Sequence, residues 1–518
     1  MGHSHAHRPY VSRRDFLRRS AIVGAAGATA ASGAWFWQQP AYGTETPVSQ
    51  VHVNFGSDAA REMTVSWMTP GPVRSPFVQL GGDRVAAQTV QYPGYPGYFH
   101  HARLTRLVPG TSYGYRIGHA DKTVTPAYGF TTGPRGREKF TFTAFGDQGT
   151  DLATTAQQPI QPSMNTKLAQ SFNPAFHVIV GDLAYANGDQ KLWDEWFDMI
   201  SPMATSTPWM PCIGNHEIES QLDVLGTGDS WGEWGYDPYL TRFALPGNGY
   251  PELENCFYSF RYGSVVFISI DNNDVNTEIK HNIGYTGGRQ RLWVEKALAA
   301  AHADKGVDFI VVLMHQAAFS SSSRHGADDG VRETWLQLFA RYSVDLVLQG
   351  HDHNYERSHV LAGDQVVADV PNKLDLGTAY ILCGNGGAVQ DSFDPVQPAW
   401  SAFRQALKIG TLKVEVDPLT SNGMSRLTLG EYWALDGSPI EEGIVLEKNA
   451  KSAPRQADTA SGTTQSADQG AAAPAITLPA ADAPAGTTLI GVEAAGTTGL
   501  AMHVRSREEA LDERASLM

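Results

Sequence analysis

Gly350-His351-Asp352-His353-Asn354-Tyr355-Glu356-Arg357 is the stretch on which the reading of this chain turns. It follows residues 344–348, an apolar run with the alternating, β-branched character of a buried strand. A strand that ends in Gly and runs at once into His-x-His presents two imidazoles at its carboxyl end, where α/β architectures build their sites. Side chains at i and i+2 share a side only while the backbone stays extended. The two rings can then reach one metal ion or two neighbouring ones. Taken alone, the motif reads equally well as a surface loop that happens to hold His.

Four other strand ends carry matching chemistry. Residues 139–145 (KFTFTAF) run into Gly146-Asp147-Gln148-Gly149, and 176–180 (FHVIV) into Gly181-Asp182-Leu183-Ala184-Tyr185. Residues 209–213 run into Gly214-Asn215-His216-Glu217, and 309–314 (FIVVLM) into His315. Each apolar run is followed by Asp, Asn or His, usually with a Gly that lets the backbone turn sharply. One such junction is ordinary turn chemistry. Five in one order, all ending in metal-ligand residue types, imply a metal site.

The 518 residues leave room for two or more domains and a large core. A net charge of −15 argues against a nucleic-acid surface as the main partner, and is compatible with a cationic pocket inside an acidic body. Cys212, Cys256 and Cys383 lie in or beside apolar runs. An odd count argues against a disulfide framework and marks them as buried packing residues.

Residues 1–43 read as a twin-arginine export signal: Ser12-Arg13-Arg14-Asp15-Phe16-Leu17 precedes an Ala/Gly-rich stretch, with cleavage expected after Ala41-Tyr42-Gly43. The expected address is periplasmic or secreted. No stretch is long and apolar enough for a comfortable membrane span. Residues 46–134 hold alternating runs at 63–68, 112–117 and 128–132 between Pro and Gly turns, the pattern of an immunoglobulin or fibronectin III-like sandwich. Their aromatic residues fit an inward core or a sugar or peptide platform. Residues 138–450 alternate strands with helices, expected at 289–302 and 331–342, which gives an α/β class. Residues 223–255 form a long irregular insertion that either rims the site or packs against the body. Residues 451–518 form an Ala/Gly/Thr-rich tail without apolar periodicity, expected to be flexible, with a short exposed helix at its end.

The ordered set GDQG, GDLAY, GNHE, strand-terminal His and GHDHNYER resembles the metallophosphoesterase superfamily, and Tyr185 with the NYER ending resembles its purple acid phosphatase branch. The likeness spans roughly residues 50–450, and 46–134 is similar to the N-terminal domain of the plant-type enzymes. It implies a four-layer α/β/β/α sandwich. It also implies a binuclear centre in which Asp182 bridges, Asp147, Tyr185 and His353 hold the first ion, and Asn215, His315 and His351 hold the second. Such donors suit hard to borderline ions. A phenolate ligand points to Fe(III) in the first position, with divalent Fe, Zn or Mn in the second; the alternative is a Tyr185 that merely packs under its loop.

By the same resemblance, metal-activated hydroxide attacks a small phosphate ester. His216 protonates the leaving group, and His325 is a second pocket histidine. Arg324 either reaches phosphate or stays solvated. Glu217, Glu356 and Arg357 orient ligands, Asp352 faces solvent, and the GNGG segment at 384–387 is structural. The loop Gln316-Ala317-Ala318-Phe319 carries fewer aromatic residues than the family pattern. The implied activity is phosphomonoester hydrolysis. Phosphodiester or nucleotide-anhydride cleavage at the same site, and a non-catalytic β-sandwich binding protein, are the alternatives. The oligomeric state is open.

Overall fold

The computed structural model describes residues 46–91, 95–120, 122–154, 161–187, 189–218, 236–277, 282–367 and 372–450. The export signal, the tail and residues 219–235 of the insertion, including Trp231 and Trp234, lie outside the described residues.

The N-terminal segment folds into two small sheets, with β1 and β2 buried almost throughout. The first, in the order β1-β2-β6-β5, comprises β1 (Ser49–Phe55), β2 (Met63–Thr69), β6 (Tyr98–Leu104) and β5 (Gln88–Val90). The second joins β4 (Asp83–Ala86), β3 (Phe77–Leu80), β7 (Ser112–His119) and β8 (Lys122–Thr123), with β9 (Tyr128–Thr131) also paired to β7. Trp67, Tyr115 and Phe130 are buried, so these aromatics form core and not a platform.

The sandwich shares one continuous apolar core with the other described residues up to 450. The Arg242 guanidinium lies over Phe99, Trp193 and Tyr95 at 4.9, 5.1 and 5.4 Å from their ring centroids. Tyr115 Oη donates to Thr205 O at 2.8 Å, and Asn54 donates to the Trp209 carbonyl. The sandwich is thus a wall of the larger unit.

In that unit, β10 (Phe140–Phe145), β11 (His177–Val180) and β12 (Trp209–Cys212) are parallel neighbours. Three antiparallel strands, β22 (Gly410–Asp417), β23 (Met424–Trp433) and β24 (Pro439–Asn449), complete a six-stranded sheet in the order β12-β11-β10-β22-β23-β24. A seven-stranded sheet runs β13 (Tyr258–Tyr262), β14 (Val265–Ser269), β15 (Phe309–Leu313), β16 (Leu346–Gln349), β20 (Ala379–Cys383), β17 (Tyr355–Ser358) and β21 (Ser401–Gln405). A two-stranded ribbon, β18 (Leu361–Ala362) with β19 (Gln365–Val366), lies apart from both.

The near-continuous apolar character of the central strands β14, β15, β16 and β20 of the seven-stranded sheet means that both of its faces are covered. In β15, Phe309, Val311 and Leu313 join the core shared with the first sheet, whereas Ile310 and Val312 join a second cluster. That second cluster contains Val294 and Leu298 of the helix Arg289–Ala303 and Trp335 and Leu338 of the helix Val331–Arg341. The helix Pro162–Ser171 lies on β22 of the six-stranded sheet, and the helix Gln190–Ala204 packs between that sheet, where Trp196 meets Trp209 at 5.7 Å, and β1 of the sandwich. This is the four-layer α/β/β/α arrangement, and both expected helices match within one residue at their ends.

The described part of the insertion packs against the body. Tyr236 Oη donates to Asp271 at 2.8 Å and Tyr239 Oη to Pro211 O at 3.2 Å, and both rings are buried. All three cysteines are free and buried, as expected.

Burial keeps several histidines neutral: His52 is pushed down to about 4, and His100, His101 and His177 to about 3. In the unfolded chain they titrate near the ordinary value of about 6.5. Below that pH the unfolded state therefore binds more protons, and stability present above it is lost as pH falls toward 4. The thermal midpoint is expected to drop by on the order of 5–10 °C between about pH 7 and pH 4. A flat midpoint across that window in a calorimetric series would show that these histidines are not held neutral.

Candidate metal centre

All five chemical motifs leave the carboxyl ends of parallel strands: β10, β11 and β12 in one sheet, β15 and β16 in the other. The turns are tight enough that Asp147, Asp182, Tyr185 and His351 adopt left-handed backbone angles, with φ of 56, 51, 50 and 79°. Such angles are unfavourable for residues with a Cβ and persist where the surroundings fix them. Here the buried Glu217 carboxylate accepts from the N–H groups of Asp182, Leu183 and Gly214 at 2.8, 2.8 and 2.7 Å. The Asp147 carboxylate accepts from the His351 N–H at 2.9 Å. Two glycines permit the close approach. A Cβ on Gly181 would stand 2.4 Å from His315 Nδ1, and one on Gly214 would stand 2.2 Å from Asp182 Oδ1.

The donor atoms fall into two groups that share Asp182. In one, Tyr185 Oη lies 2.8 Å from His353 Nε2 and 3.2 Å from Asp147 Oδ1. In the other, Asn215 Oδ1 lies 2.9 Å from His315 Nε2 and 3.0 Å from His351 Nδ1. His315 Nε2 stands 3.3 Å from Asp182 Oδ2, and one donor atom each from Asp182, His315 and His351 lie within 4.8 Å of one another. Nδ1 of His315 points at Val180 O, and Nδ1 of His353 at Val389 O, both at 2.7 Å. A ring nitrogen facing a carbonyl carries the proton, so in the neutral ring the lone pair of Nε2 faces the centre.

The electrostatics fit cations. Burial pushes Asp147 well above the usual carboxylate range, with His315 opposing. Burial also works against Asp182, yet the attraction of His315 and His216 holds its carboxyl below that range. For His315 burial disfavours the charge, but Asp182 and Asp147 push it up to about 10. Burial lowers His351 strongly and takes His353 to about 4, so both rings stay neutral and able to bind a metal. Tyr185 is raised by burial and then by the two carboxylates. The protein alone therefore balances buried anions with one imidazolium, where two metal ions would serve fully. The seven residues fit such a pair.

The other expected residues stand around this cluster. His216 packs its ring on Tyr185 at 4.4 Å, with Nε2 at 3.9 Å from Asp182 Oδ2. Its Nδ1 lies 2.7 Å from Asn187 Oδ1, and burial lowers its pKa. The His325 ring sits 4.2 Å from that of His351 and is exposed. Arg324 pairs with Asp391 at 3.3 Å, and its charge is felt by both His216 and His353. Glu356 fixes Ser321 through its N–H and hydroxyl, and Arg357 makes a fork to Glu441.

Asp352 corrects the sequence reading. It is fully buried, not solvent-facing, because the loop bearing Ser320, Ser322 and His325 folds over it and donates to its carboxylate. The GNGG segment is structural as expected: Gly386 N donates to Gly146 O and Ala388 N to Asp147 O, both at 2.9 Å. Sequence reasoning missed Asn187, Asp391, Asp328 and Asn273. Only Asn187, two positions beyond Tyr185 in the same loop, carried a signal that could have found it.

Comparison with known proteins agrees with this geometry. The profile described as "Purple acid Phosphatase, N-terminal domain" matches residues 48–132, and that described as "Calcineurin-like phosphoesterase" matches 141–355. The chain belongs to the purple acid phosphatase-type metallophosphoesterases. An uncharacterized protein of Mycobacterium tuberculosis is 36% identical over 86% of this chain and 96% of its own length. In Arabidopsis thaliana, an Fe(3+)-Zn(2+) purple acid phosphatase is 28% identical over 69% of this chain and 76% of its own. A probable inactive purple acid phosphatase of the same plant is 30% identical, over 68% of this chain and 58% of its own. The yellow lupin purple acid phosphatase PPD1 shares the fold, with a TM-score of 0.65 at 24% identity, covering 78% of this chain and 74% of that one. The metallophosphoesterase assignment makes this chain a hydrolase.

Glu217→Gln keeps the shape of the buried acceptor but replaces one carboxylate oxygen with an amide donor facing N–H groups. Metal retention should weaken about 10–100-fold, as for other groups that orient ligands. Elemental analysis after graded dialysis reads this directly, and unchanged retention would mean that Glu217 only packs.

Proposed function

We propose that this chain is an exported phosphomonoesterase acting at a binuclear centre, with Asp182 the residue that both ions would have in common. Asp147, Tyr185 and His353 would hold Fe(III), and Asn215, His315 and His351 a divalent Fe, Zn or Mn ion. The observation that carries this reading is the convergence of all seven side chains, from five strand ends, into two donor groups that share one carboxylate. The phenol of Tyr185, held up by burial and two carboxylates, yields its proton only to a strongly acidic ion. The Fe(3+)-Zn(2+) relative supports the same pairing. Ser12-Arg13-Arg14 and the stretch after it support export.

When bound, the two ions would neutralise phosphoryl oxygens and acidify a water to supply the nucleophile. The chain's own residues supply the remainder. Asn187 Oδ1 accepts from Nδ1–H of His216 and fixes the ring, so that in the imidazolium form Nε2–H faces the site and passes its proton to the leaving alkoxide, leaving the neutral ring. His325, exposed beside His351, offers a further donor to phosphate on the open side. The candidate ligands are mostly buried, while His216, His325 and Arg324 reach solvent, so substrate enters where these three stand.

The reading is tested by rates for an aryl phosphate monoester against the matching diester from about pH 4 to about pH 9. Monoester turnover should dominate. A diester preference would place the enzyme among phosphodiesterases, and no turnover with both metals bound would align it with the inactive relative. Tyr185→Phe should bleach the visible absorbance of the iron-bound protein; colour that persists removes the phenolate from the ligand set. His216→Ala should slow alkyl phosphates by about 100-fold or more while sparing activated aryl esters. Equal losses on both would remove it as the general acid.

A further inference from the structure

The three side chains assigned to the second ion are held from behind by residues outside the strand-end motifs. β14 runs into Asp271-Asn272-Asn273-Asp274, all buried. Asn273 Nδ2 donates to Gly214 O at 3.0 Å, and its Oδ1 accepts from Gln316 Nε2 at 2.6 Å. Gly214 and Gln316 are the chain neighbours of Asn215 and His315, whose donor atoms lie 2.9 Å apart. One buried amide thus spans the two loops that bring those ligands together. Asn273 is itself fixed, donating its N–H to Asp271 Oδ1 at 2.9 Å.

The third ligand leans on Asp328. Its Oδ1 lies 3.7 Å from His351 Nε2 and accepts from Asn276 Nδ2 at 2.9 Å. Its Oδ2 accepts the Ala317 N–H at 2.7 Å, while its own N–H donates to Ala317 O at 2.8 Å. Asp328, bonded to the loop that follows His315, therefore places a carboxylate beside the His351 ring at ion-pair rather than hydrogen-bond distance. His353, on the first ion, is oriented by other groups, Val389 O and Asp391.

We propose that Asn273 and Asp328 are positioning residues for the second ion alone, a proposal that rests on the binuclear reading. Asn273 sets the spacing of Asn215 and His315. Asp328 sets a carboxylate charge 3.7 Å from the far nitrogen of His351, which favours the proton on Nε2 and leaves the Nδ1 lone pair for the ion.

The test uses the full-length metal-loaded protein and two variants, Asp328→Asn and Asn273→Ser. Each is dialysed against a graded chelator series and assayed for each metal by elemental analysis. Wild type should hold two equivalents. Each variant should keep the first ion at wild-type strength and release the second at about 10–100-fold lower chelator concentration. Asp328→Asn keeps size and shape, so it carries the test if Asn273→Ser folds poorly. Release of both ions in step, in proportion to a lowered thermal midpoint, would mark a general structural role and overturn the proposal. So would retention of both at wild-type strength. Wild type that holds fewer than two equivalents would remove the binuclear reading and the brace with it.

Discussion

Two carboxylates, Asp147 and Asp182, are buried at the joint between the sheets, with His315 reaching toward both at 3.9 and 3.3 Å. Buried anions are costly unless paired with positive charge or given hydrogen-bond donors. Nearly everything around the joint answers that constraint. Backbone N–H groups of His216 and His351 point at the carboxylates. Three uncharged rings and an amide aim donor atoms at the same space, leaving a deficit of positive charge that metal ions can fill. Five loops then have to meet within a few ångströms, and the left-handed turns and bare glycines follow from that crowding.

The fold supplies the rigidity that such a meeting requires. Parallel pairing of β10, β11 and β12, and of β15 with β16, brings each motif to a strand end whose position is fixed by a ladder of hydrogen bonds. The GNGG segment after β20 then threads between loops from both sheets. A Cβ on Gly386 would lie 2.1 Å from Gly146 O, and one on Gly384 would lie 2.2 Å from Asp352 O. The N-terminal sandwich contributes at longer range by completing the core beneath β11 and β12, through Phe55 against Phe176 and Asn54 on Trp209.

What the sequence made legible was whatever covalent adjacency encodes. Strand, Gly and candidate ligand are neighbours in the chain, so the strand ends that converge and two helices could be read directly, while the division of those residues between two ions came from the family resemblance. Orientation was not encoded in that way. Residues 265–270 followed by Asp271 carry the same signature as the five motif junctions, yet the Asp271 carboxylate turns to Tyr236 and Tyr285 at 2.8 and 2.7 Å. Asp352 shows the same limit from the other side. Alternation placed it opposite the two histidines, but what lies opposite is set by a loop from thirty-odd positions earlier, and that loop buries it. Asp328 and Asp391 act across tertiary contacts that leave no local trace.

The contrast between buried ligands and exposed pocket residues separates two determinants of function. The candidate ligands answer to the charge balance of the interior and leave little freedom for change. His216, His325 and Arg324 sit on loops at the surface, held by partners that belong to other loops: Asn187 for His216, Asp391 for Arg324, and the Ser323–Ser392 contact, at 2.8 Å, for the segment that carries His325. Substitutions at His325 and Arg324 alter shape and charge at the entrance, whereas His216, packed on Tyr185 and 3.9 Å from Asp182 Oδ2, also bears on the buried cluster. The segments around residues 320–325 and 388–394 are thus joined to each other above the cluster that the strand ends carry beneath them.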